Sequence, residues 1–381
     1  MFTRIDLKWF KCFEDLVLPI APLTLLSGTN ASGKSTIFQS LVLLHQTMLR
    51  NEWATRLQLN GPELELGTAA DVIDKVHGRG RFRIGIADND CGIQWEFSSG
   101  EDRQEAMSVA VESVEVNGVP SGPNENLRFL VPESSNDALT LTNRLRGMTY
   151  LTAERTGPRE VYQLQDPDST QVVGPRGDNA VGMLYQRLDQ EVLPLLLTEP
   201  LPPKLLQQVG NRMRAFFPNS SIDVQHVKNT NFVTLGIKTS DATGFHRPMH
   251  VGFGLTQILP IIVAVLTASE GDLLLIENPE VHLHPGGQAA MGRFLTHASA
   301  AGVQVLVETH SDHVLNGIRR GVKAGEIASD AVALHFFRSR DEDGPQVVSP
   351  QIDPSGNVDE WPEGFFDQFD KDINHFADWG E

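Results

Sequence analysis

Cysteine is nearly absent. Of 381 residues only Cys12 and Cys91 carry a thiol, and neither sits in a CxxC or Cys/His pattern. That usage argues against a disulfide framework and against a structural zinc site. Long apolar runs are missing as well. The longest, 258–266, is far short of the roughly 20 residues a membrane-crossing helix needs. The first residues, MFTRIDLKWF, carry charges and lack the apolar core of a signal peptide. A cytoplasmic protein without a membrane segment is expected. Positive charge is scarce too: 31 Lys and Arg stand against 49 Asp and Glu, a formal net charge of −18. Such a balance argues against coating nucleic acid by bulk electrostatics. Much of the deficit lies in 341–381, where twelve acids meet one lysine. Local basic patches therefore stay open elsewhere, with Arg79, Arg81 and Arg83, or Arg319, Arg320 and Lys323, as candidates. No internal repeat or heptad run is present.

What is present suits a globular α/β chain. Hydrophobic residues make up 40% and charged residues 21%, and the length can bury a sizeable core. Ile5, Leu7 and Trp9, then Leu16 and Leu18, alternate with polar residues as in a hairpin. A short apolar strand at 23–26 leads into a glycine-rich loop, and 35–49 has helical spacing. The stretch 57–66 reads as a hairpin turning at Asn60-Gly61. Strands are expected at 81–87, 92–97 and 108–117, and loops at 117–126, 132–137 and 165–180. The stretch 181–217 reads as helix broken at Pro194 and Pro202-Pro203, with strands following at 221–227 and 231–238. From 257 on the pattern alternates: helix 257–266 with Pro260 near its start, strand 272–276, helix 288–298, strand 303–308, helix 313–322, strand 332–338. Such alternation implies a parallel sheet covered by helices.

The strongest local signal is Gly28-Thr29-Asn30-Ala31-Ser32-Gly33-Lys34-Ser35, a full GxxxxGK[ST] between a strand and a helix. Glycines let successive amides, including those of Asn30, Ala31 and Ser32, turn inward and cradle phosphate oxygens. The helix start adds partial positive charge. Lys34 would reach the β and γ phosphates, Ser35 would give Mg²⁺ an oxygen, and Thr36 completes the nucleotide-binding set. ATP and Mg²⁺ are thus the expected cofactors. Far downstream, the apolar strand LLLI ends in Glu277, placed to hold Mg²⁺ at the strand's carboxyl end.

The string IENPEVHLHP at 276–285 resembles the hhhh[DE]EPExHLHP element of OLD-like and RecF-like ATPases. Further matching pieces are LTLLSGTNASGKST, LQLNGPELELGTAADVI at 57–73, TAERTGPRE at 152–160 and VGFGLTQILPIIVAVL at 251–266. ETHSDHVLNGIR at 308–319 and WPEGFFDQ at 361–368 complete the set. Together they resemble the ABC-type ATPase heads of the RecF, SMC and OLD-like group, without the long inserted coiled coil of a full SMC protein. The resemblance implies an α/β P-loop NTPase with a mixed or parallel central sheet, an N-terminal antiparallel β-lobe and an inserted helical/β lobe. It implies a head over 1–340, its core from about 1–100 and 250–340 and its inserted lobe at about 101–250. An acidic tail, 341–381, would be anchored by WPEGFF and its Phe365-Phe366 pair.

The same resemblance assigns further roles. Gly252, Gly254, Thr256 and Gln257 are similar to a variant ABC signature that reaches the γ-phosphate on a partner subunit, ahead of the 257–266 helix. His310 matches the switch histidine. Lys11 and Phe13 match a basic-aromatic turn near the nucleotide. One position departs: such heads carry Glu as general base after the Mg-binding acid, and here it is Asn278. An amide orients water but takes no proton, so either Glu280 serves as base or hydrolysis is slow. Glu280 can equally be read as a structural carboxylate. Within TAERTGPRE, Glu154, Arg155 and Arg159 form a charged cluster. Arg155 could read a phosphate or interface carboxylate, or form an internal ion pair. His282 and His284, two apart, are read as structural rather than as a metal pair.

Taken together these imply an ATPase that homodimerises, or forms a higher even oligomer, around Mg-ATP. It would act as a switch on a separate effector, expected to be a nuclease, in anti-phage defence or DNA repair. Only about 60 residues follow residue 320, short for a nuclease element of the OLD type, so an effector on a separate chain is expected. The other reading is a RecF-like clamp acting directly on DNA. A transporter ATPase fits poorly, because the signature diverges.

Overall fold

Alternation at Ile5 and Leu7 produces the opening hairpin. In the computed structural model β1 (Phe2–Phe10) pairs antiparallel with β2 (Phe13–Pro19), Leu7 opposite Leu16. The structure describes residues 1–76, 80–100, 105–122, 126–166, 172–240, 242, 244–340, 344–366, 372–373 and 375–376. The chain divides into two units, Met1–Met148 with His335–Ser349, and Thr149–Leu334 with Pro350–Glu381.

The first unit continues through β3 (Leu23–Gly28), α1 (Lys34–Arg50), β4 (Arg56–Gln58) and α2 (Ala69–Val72). Then come β5 (Arg81–Asp88), β6 (Gly92–Ser98), β7 (Ser108–Val116) and β8 (Val119–Pro120). Two short strands, β9 (Leu127–Arg128) and β10 (Val131–Pro132), precede α3 (Asn136–Arg146). The large sheet runs β2-β1-β5-β6-β7-β4, with β8 against β7. Its buried face carries Phe10, Phe82 and Phe97, whose rings pack at 5.2 Å centroid spacing in each successive pair. Each such buried side chain contributes about 1.5–3 kcal/mol. Trp95 is fully buried, and its indole N–H donates to the Leu130 carbonyl at 2.7 Å.

The second unit is wound differently. It holds β11 (Thr149–Leu151), β12 (Tyr162–Gln163), α4 (Ala180–Gln186), α5 (Leu205–Phe216), β13 (Ser221–His226) and β14 (Phe232–Lys238). After these come α6 (Phe253–Thr267), β15 (Leu273–Glu277), α7 (Pro285–Ala300), β16 (Gln304–Glu308) and α8 (Asp312–Lys323). Strands β11, β15 and β16 are parallel neighbours, and the apolar run of β15 is buried as a covered parallel strand requires. Helix α6 is apolar all round and buried from Gly254 to Thr267, as expected of a helix enclosed on every side. Strands β12, β14 and β13 form a small antiparallel sheet. The chain re-enters the first unit at His335, within β17 (Val332–Phe337), and β17 pairs with β18 (Val347–Val348). The result is an α/β architecture with an antiparallel N-terminal sheet, as the resemblance implied. Among the described residues no helix is long and apolar enough to cross a membrane.

Several local expectations need correction. The 57–66 segment does not turn at Asn60-Gly61. Asn60 bridges Glu65, and Gly61 N–H donates to Leu64 O at 2.9 Å, so the bend lies over Pro62 and Glu63. The Asn60 side chain is instead spent on both backbone groups of Gly67. Helix α6 starts at Phe253, four residues before the expected 257, which puts Pro260 inside it. Between α4 and α5 the chain has only a 3₁₀ turn, Pro194–Leu196, so 181–217 is far less helical than its pattern. Helix α3 begins within the expected 132–137 loop, where the Ser135 side chain accepts from Ala138 N–H as an N-cap.

Candidate functional site

Chain geometry around the phosphate loop follows from three left-handed positions. Gly28 has φ 147°, Ala31 62° and Gly33 104°. A Cβ at Gly28 would lie 2.2 Å from the Phe337 carbonyl, and one at Gly33 would lie 2.7 Å from the Phe13 ring. Both glycines are therefore demanded by backbone conformation and by space. Phe13 is a buried support under the loop. Helix α1 starts on Gly33 with no side-chain cap and no acid in its first turn. The Ser32 hydroxyl donates to Thr29 O at 2.8 Å. Lys34 is buried, and its ammonium donates to Gly28 O at 3.0 Å and Thr29 O at 2.7 Å. The loop thus leads into a helix start that has no side-chain cap at Gly33, and it carries one ammonium.

Beside it opens a cavity of about 520 Å³, lined by Ala31, Ser32, Gly33, Lys34, Ser35 and Thr36 and walled by Lys11, Gln39, Ile73, Asp74, Val76 and Arg340. Lys11 sits at φ 53° and donates to Gln39 Oε1 at 2.7 Å, and burial lowers its pKa. Arg340 is ion-paired with the buried Asp74. A cleft of that volume, with amides and an ammonium at one end, has the size and charge a nucleoside triphosphate needs. The sequence pattern reached the loop but not the wall residues Gln39, Asp74 and Arg340, which come from distant segments and carry no spacing signal.

In the second unit the acid strand end is tightly held. Glu277 accepts from the Tyr150 hydroxyl at 2.8 Å on one carboxylate oxygen and from Ala153 N–H at 3.0 Å on the other. Asn278 takes φ 42°, and its N–H donates to Glu308 O at 2.8 Å. Glu280 Oε1 accepts from His310 N–H at 2.9 Å, while His310 itself is exposed. Asn278 Oδ1 and Glu280 Oε2 are buried and have no hydrogen-bond partner among the described residues. Such orphaned acceptors suit a water or a donor from a bound molecule.

Among the described residues Arg155 makes no bonded ion pair. Its guanidinium is buried and donates to four backbone carbonyls: Gln257, Thr152, Glu277 and Asn278. Burial pushes its pKa down to about 10 against the opposing fields of Glu280 and Glu277. Glu154 and Arg159 are exposed. Sequence spacing singled out the TAERTGPRE cluster without showing this clamp, and it missed Tyr150 altogether.

Phe253 to Gln257 form the first turn of α6. Gly252 precedes the helix without a side-chain cap, and Gly252 and Phe253 are exposed. A Cβ at Gly254 would lie 2.8 Å from His282 O, so this glycine lets α6 press against the turn after β15. Thr256 and Gln257 are buried. The Thr256 hydroxyl donates to Phe253 O at 2.9 Å, and Gln257 Nε2 donates to Arg155 O at 3.1 Å. His282 lies 5.5 Å from the Phe253 ring, and His284 Nδ1 caps α7 by accepting from Gly286 N–H.

The basic candidates are largely engaged. Arg81 and Arg83 both pair with Glu96, and Arg319 donates to Gly356 O beneath Trp361. Arg320 and Lys323 are exposed, and Arg79 lies outside the described residues. Phe365 is fully buried against Trp361 and Phe366.

Comparison with known proteins bears on the fold of the chain. Residues 177–316 match a family model described as an AAA domain, linked in its description with AbiEii toxin and type IV TA systems. Residues 327–375 match a model described as a protein of unknown function (DUF3696). An OLD nuclease of Thermus scotoductus is 23% identical over 378 residues, covering 94% of this chain and 68% of that protein. The fold is that of an ABC-type ATPase head. An SMC head crystallised with the C-winged helix domain of ScpA superposes at TM-score 0.53, with 15% identity and coverage of 92% and 98%. An SMC head with an extended coiled coil, bound to a ScpA C-terminal domain derived from Pyrococcus furiosus, gives 0.50 with 13% identity, covering 99% of each chain. The chain is similar to the AAA/ABC-type ATPase heads of the OLD and SMC group.

Proposed function

We propose that this chain binds and hydrolyses Mg-ATP and uses the nucleotide to join two copies of itself. The observation that carries the reading is the loop of Gly28, Ala31, Ser32, Gly33 and Lys34, closing on an uncapped helix start beside a 520 Å³ cleft. Its amides and the Lys34 ammonium bind the triphosphate. By their sequence motifs Ser35 and Glu277 are the residues that would give oxygens to Mg²⁺, which would neutralise developing phosphate charge. Glu277 enters this role already oriented by Tyr150 and Ala153.

The partner's triphosphate is met by the exposed Gly252 turn and the first amides of α6, Gly252 and Gly254 included; Thr256 and Gln257 support that turn from inside. Glu280 acts as base toward the attacking water in place of a carboxylate at Asn278. Its unpaired Oε2 supports that role, and Asn278 Oδ1 helps orient the same water. His310 faces solvent, where its ring can donate to phosphate. The nucleotide-driven dimer then acts on a partner effector, a nuclease in defence or repair. The two SMC heads above, each bound to a ScpA domain, support use of this fold for docking a partner. The engagement of Arg81, Arg83 and Arg319 favours this reading over a direct DNA clamp.

The test is Glu280→Gln with Mg-ATP in analytical ultracentrifugation. The variant should accumulate as dimer, with turnover reduced at least about 100-fold. Wild-type turnover without accumulated dimer removes Glu280 as base.

A further inference from the structure

Arg155 ties together three segments that the proposed ATPase cycle must keep in register. Its Nε donates to Gln257 O at 3.0 Å, in the first turns of α6. Its Nη1 donates to Thr152 O at 3.0 Å, just past β11, and to Glu277 O at 2.8 Å. Its Nη2 donates to Asn278 O at 2.8 Å. Gln257 returns a bond from its side chain to Arg155 O. The same short segment holds both carboxylate oxygens of Glu277, through Tyr150 and Ala153. A planar fork fixes the spacing of the carbonyls it joins more strictly than an ammonium can. Burying a guanidinium on carbonyls alone is also costly unless every donor is met. Here the nearby Glu277 and Glu280 supply the compensating field. Gly254 adds a second tie, since α6 touches His282 O with no room for a Cβ.

We infer that Arg155 is the positioning residue that locks the Glu277–Asn278–Glu280 turn to the start of α6. Engagement of the exposed Gly252 and Phe253 by a second copy therefore sets the orientation of the acid turn. The inference rests on the ATPase reading above and adds to it how docking at one surface reaches the hydrolytic groups. Any tilt of the first turn of α6 pulls Gln257 O, and the rigid guanidinium passes that shift to Glu277 O and Asn278 O. Asn278, at φ 42°, sits in the small left-handed region, so its φ can shift little without leaving it.

The test compares wild type, Arg155→Lys and Gln257→Leu for kcat, KM for ATP, thermal melting and hydrogen exchange without nucleotide. Arg155→Lys keeps the charge but loses the fork. Its kcat should fall about ten-fold or more while KM stays within about two-fold, because the phosphate loop is untouched. Gln257→Leu removes only the return bond and should lower kcat about three-fold. In both variants exchange should rise together at 253–257 and 278–281. Wild-type kcat in both variants, or exchange rising in one segment alone, overturns the inference. If Arg155→Lys does not fold, Gln257→Leu decides by the same criteria. Absence of ATP turnover in the wild type would instead sink the ATPase reading, while the exchange data still test the lock.

Discussion

His335 shows how burial sets a single residue's chemistry. Its Nε2 faces the Pro19 carbonyl at 2.7 Å, which can only accept, so Nε2 carries the proton. Its Nδ1 then accepts from the Ser349 hydroxyl at 2.8 Å, and the ring is neutral. Burial pushes the pKa down to about 4 from the ordinary 6.5. Below 6.5 the unfolded ring gains a proton that the folded ring refuses until about 4. Stability is therefore fully present above pH 6.5 and declines through that window, by up to roughly 3 kcal/mol. Urea denaturation at pH 7 and 4.5 should show this loss, and His335→Gln should reduce the difference between the two. An unchanged difference contradicts the assignment. Residues with a spacing signal were legible: Gly28 to Ser35 had to lie between strand and helix to work at all. Tyr150 was not legible, because its bond to Glu277 spans 127 positions. Arg155 was visible as a charge in a cluster, but carbonyl partners leave no mark in a sequence.

Helices α7 and α8 pack backbone to backbone, and two glycines permit it. A Cβ at Gly292 would lie 2.1 Å from Val314 O, and one at Gly317 would lie 2.2 Å from Ala289 O. Replacing a helical glycine by alanine normally gains about 0.5–1 kcal/mol. At Gly317 the clash should reverse the sign, so Gly317→Ala should lose about 1–3 kcal/mol in urea denaturation. Gly210 in α5 is the control, since a Cβ there meets only Ile222 at 3.9 Å. Gly210→Ala should gain stability by about 0.5–1 kcal/mol. Equal effects at the two sites would contradict the packing account. Elements with strong periodicity were legible from the sequence, among them β1, β15, α7 and α8. The start of α6 was not, because Phe253-Gly254-Leu255 reads as a glycine turn until burial against His282 makes it helical. The 187–204 stretch misled in the opposite sense, its leucines suggesting helix where prolines leave only one 3₁₀ turn.

At the scale of the whole molecule, the phosphate loop belongs to the first unit, and the acid turn and α6 belong to the second. Net charge gave the sequence little to say about partners, and the structure adds that Arg81, Arg83 and Arg319 are already engaged. The alternation of strand and helix after residue 257 made the fold class legible. Which segments of the 149–250 region would pair was not legible, because β11 and β12 are only three and two residues long. Nucleotide binding depends on the grip of one ammonium and a few amides on a triphosphate. Calorimetric titration of Mg-ATP into the full chain and into Lys34→Ala tests it most directly. Wild type should bind saturably, and Lys34→Ala should bind at least about 100-fold more weakly. Equal affinity in the two proteins would contradict the account.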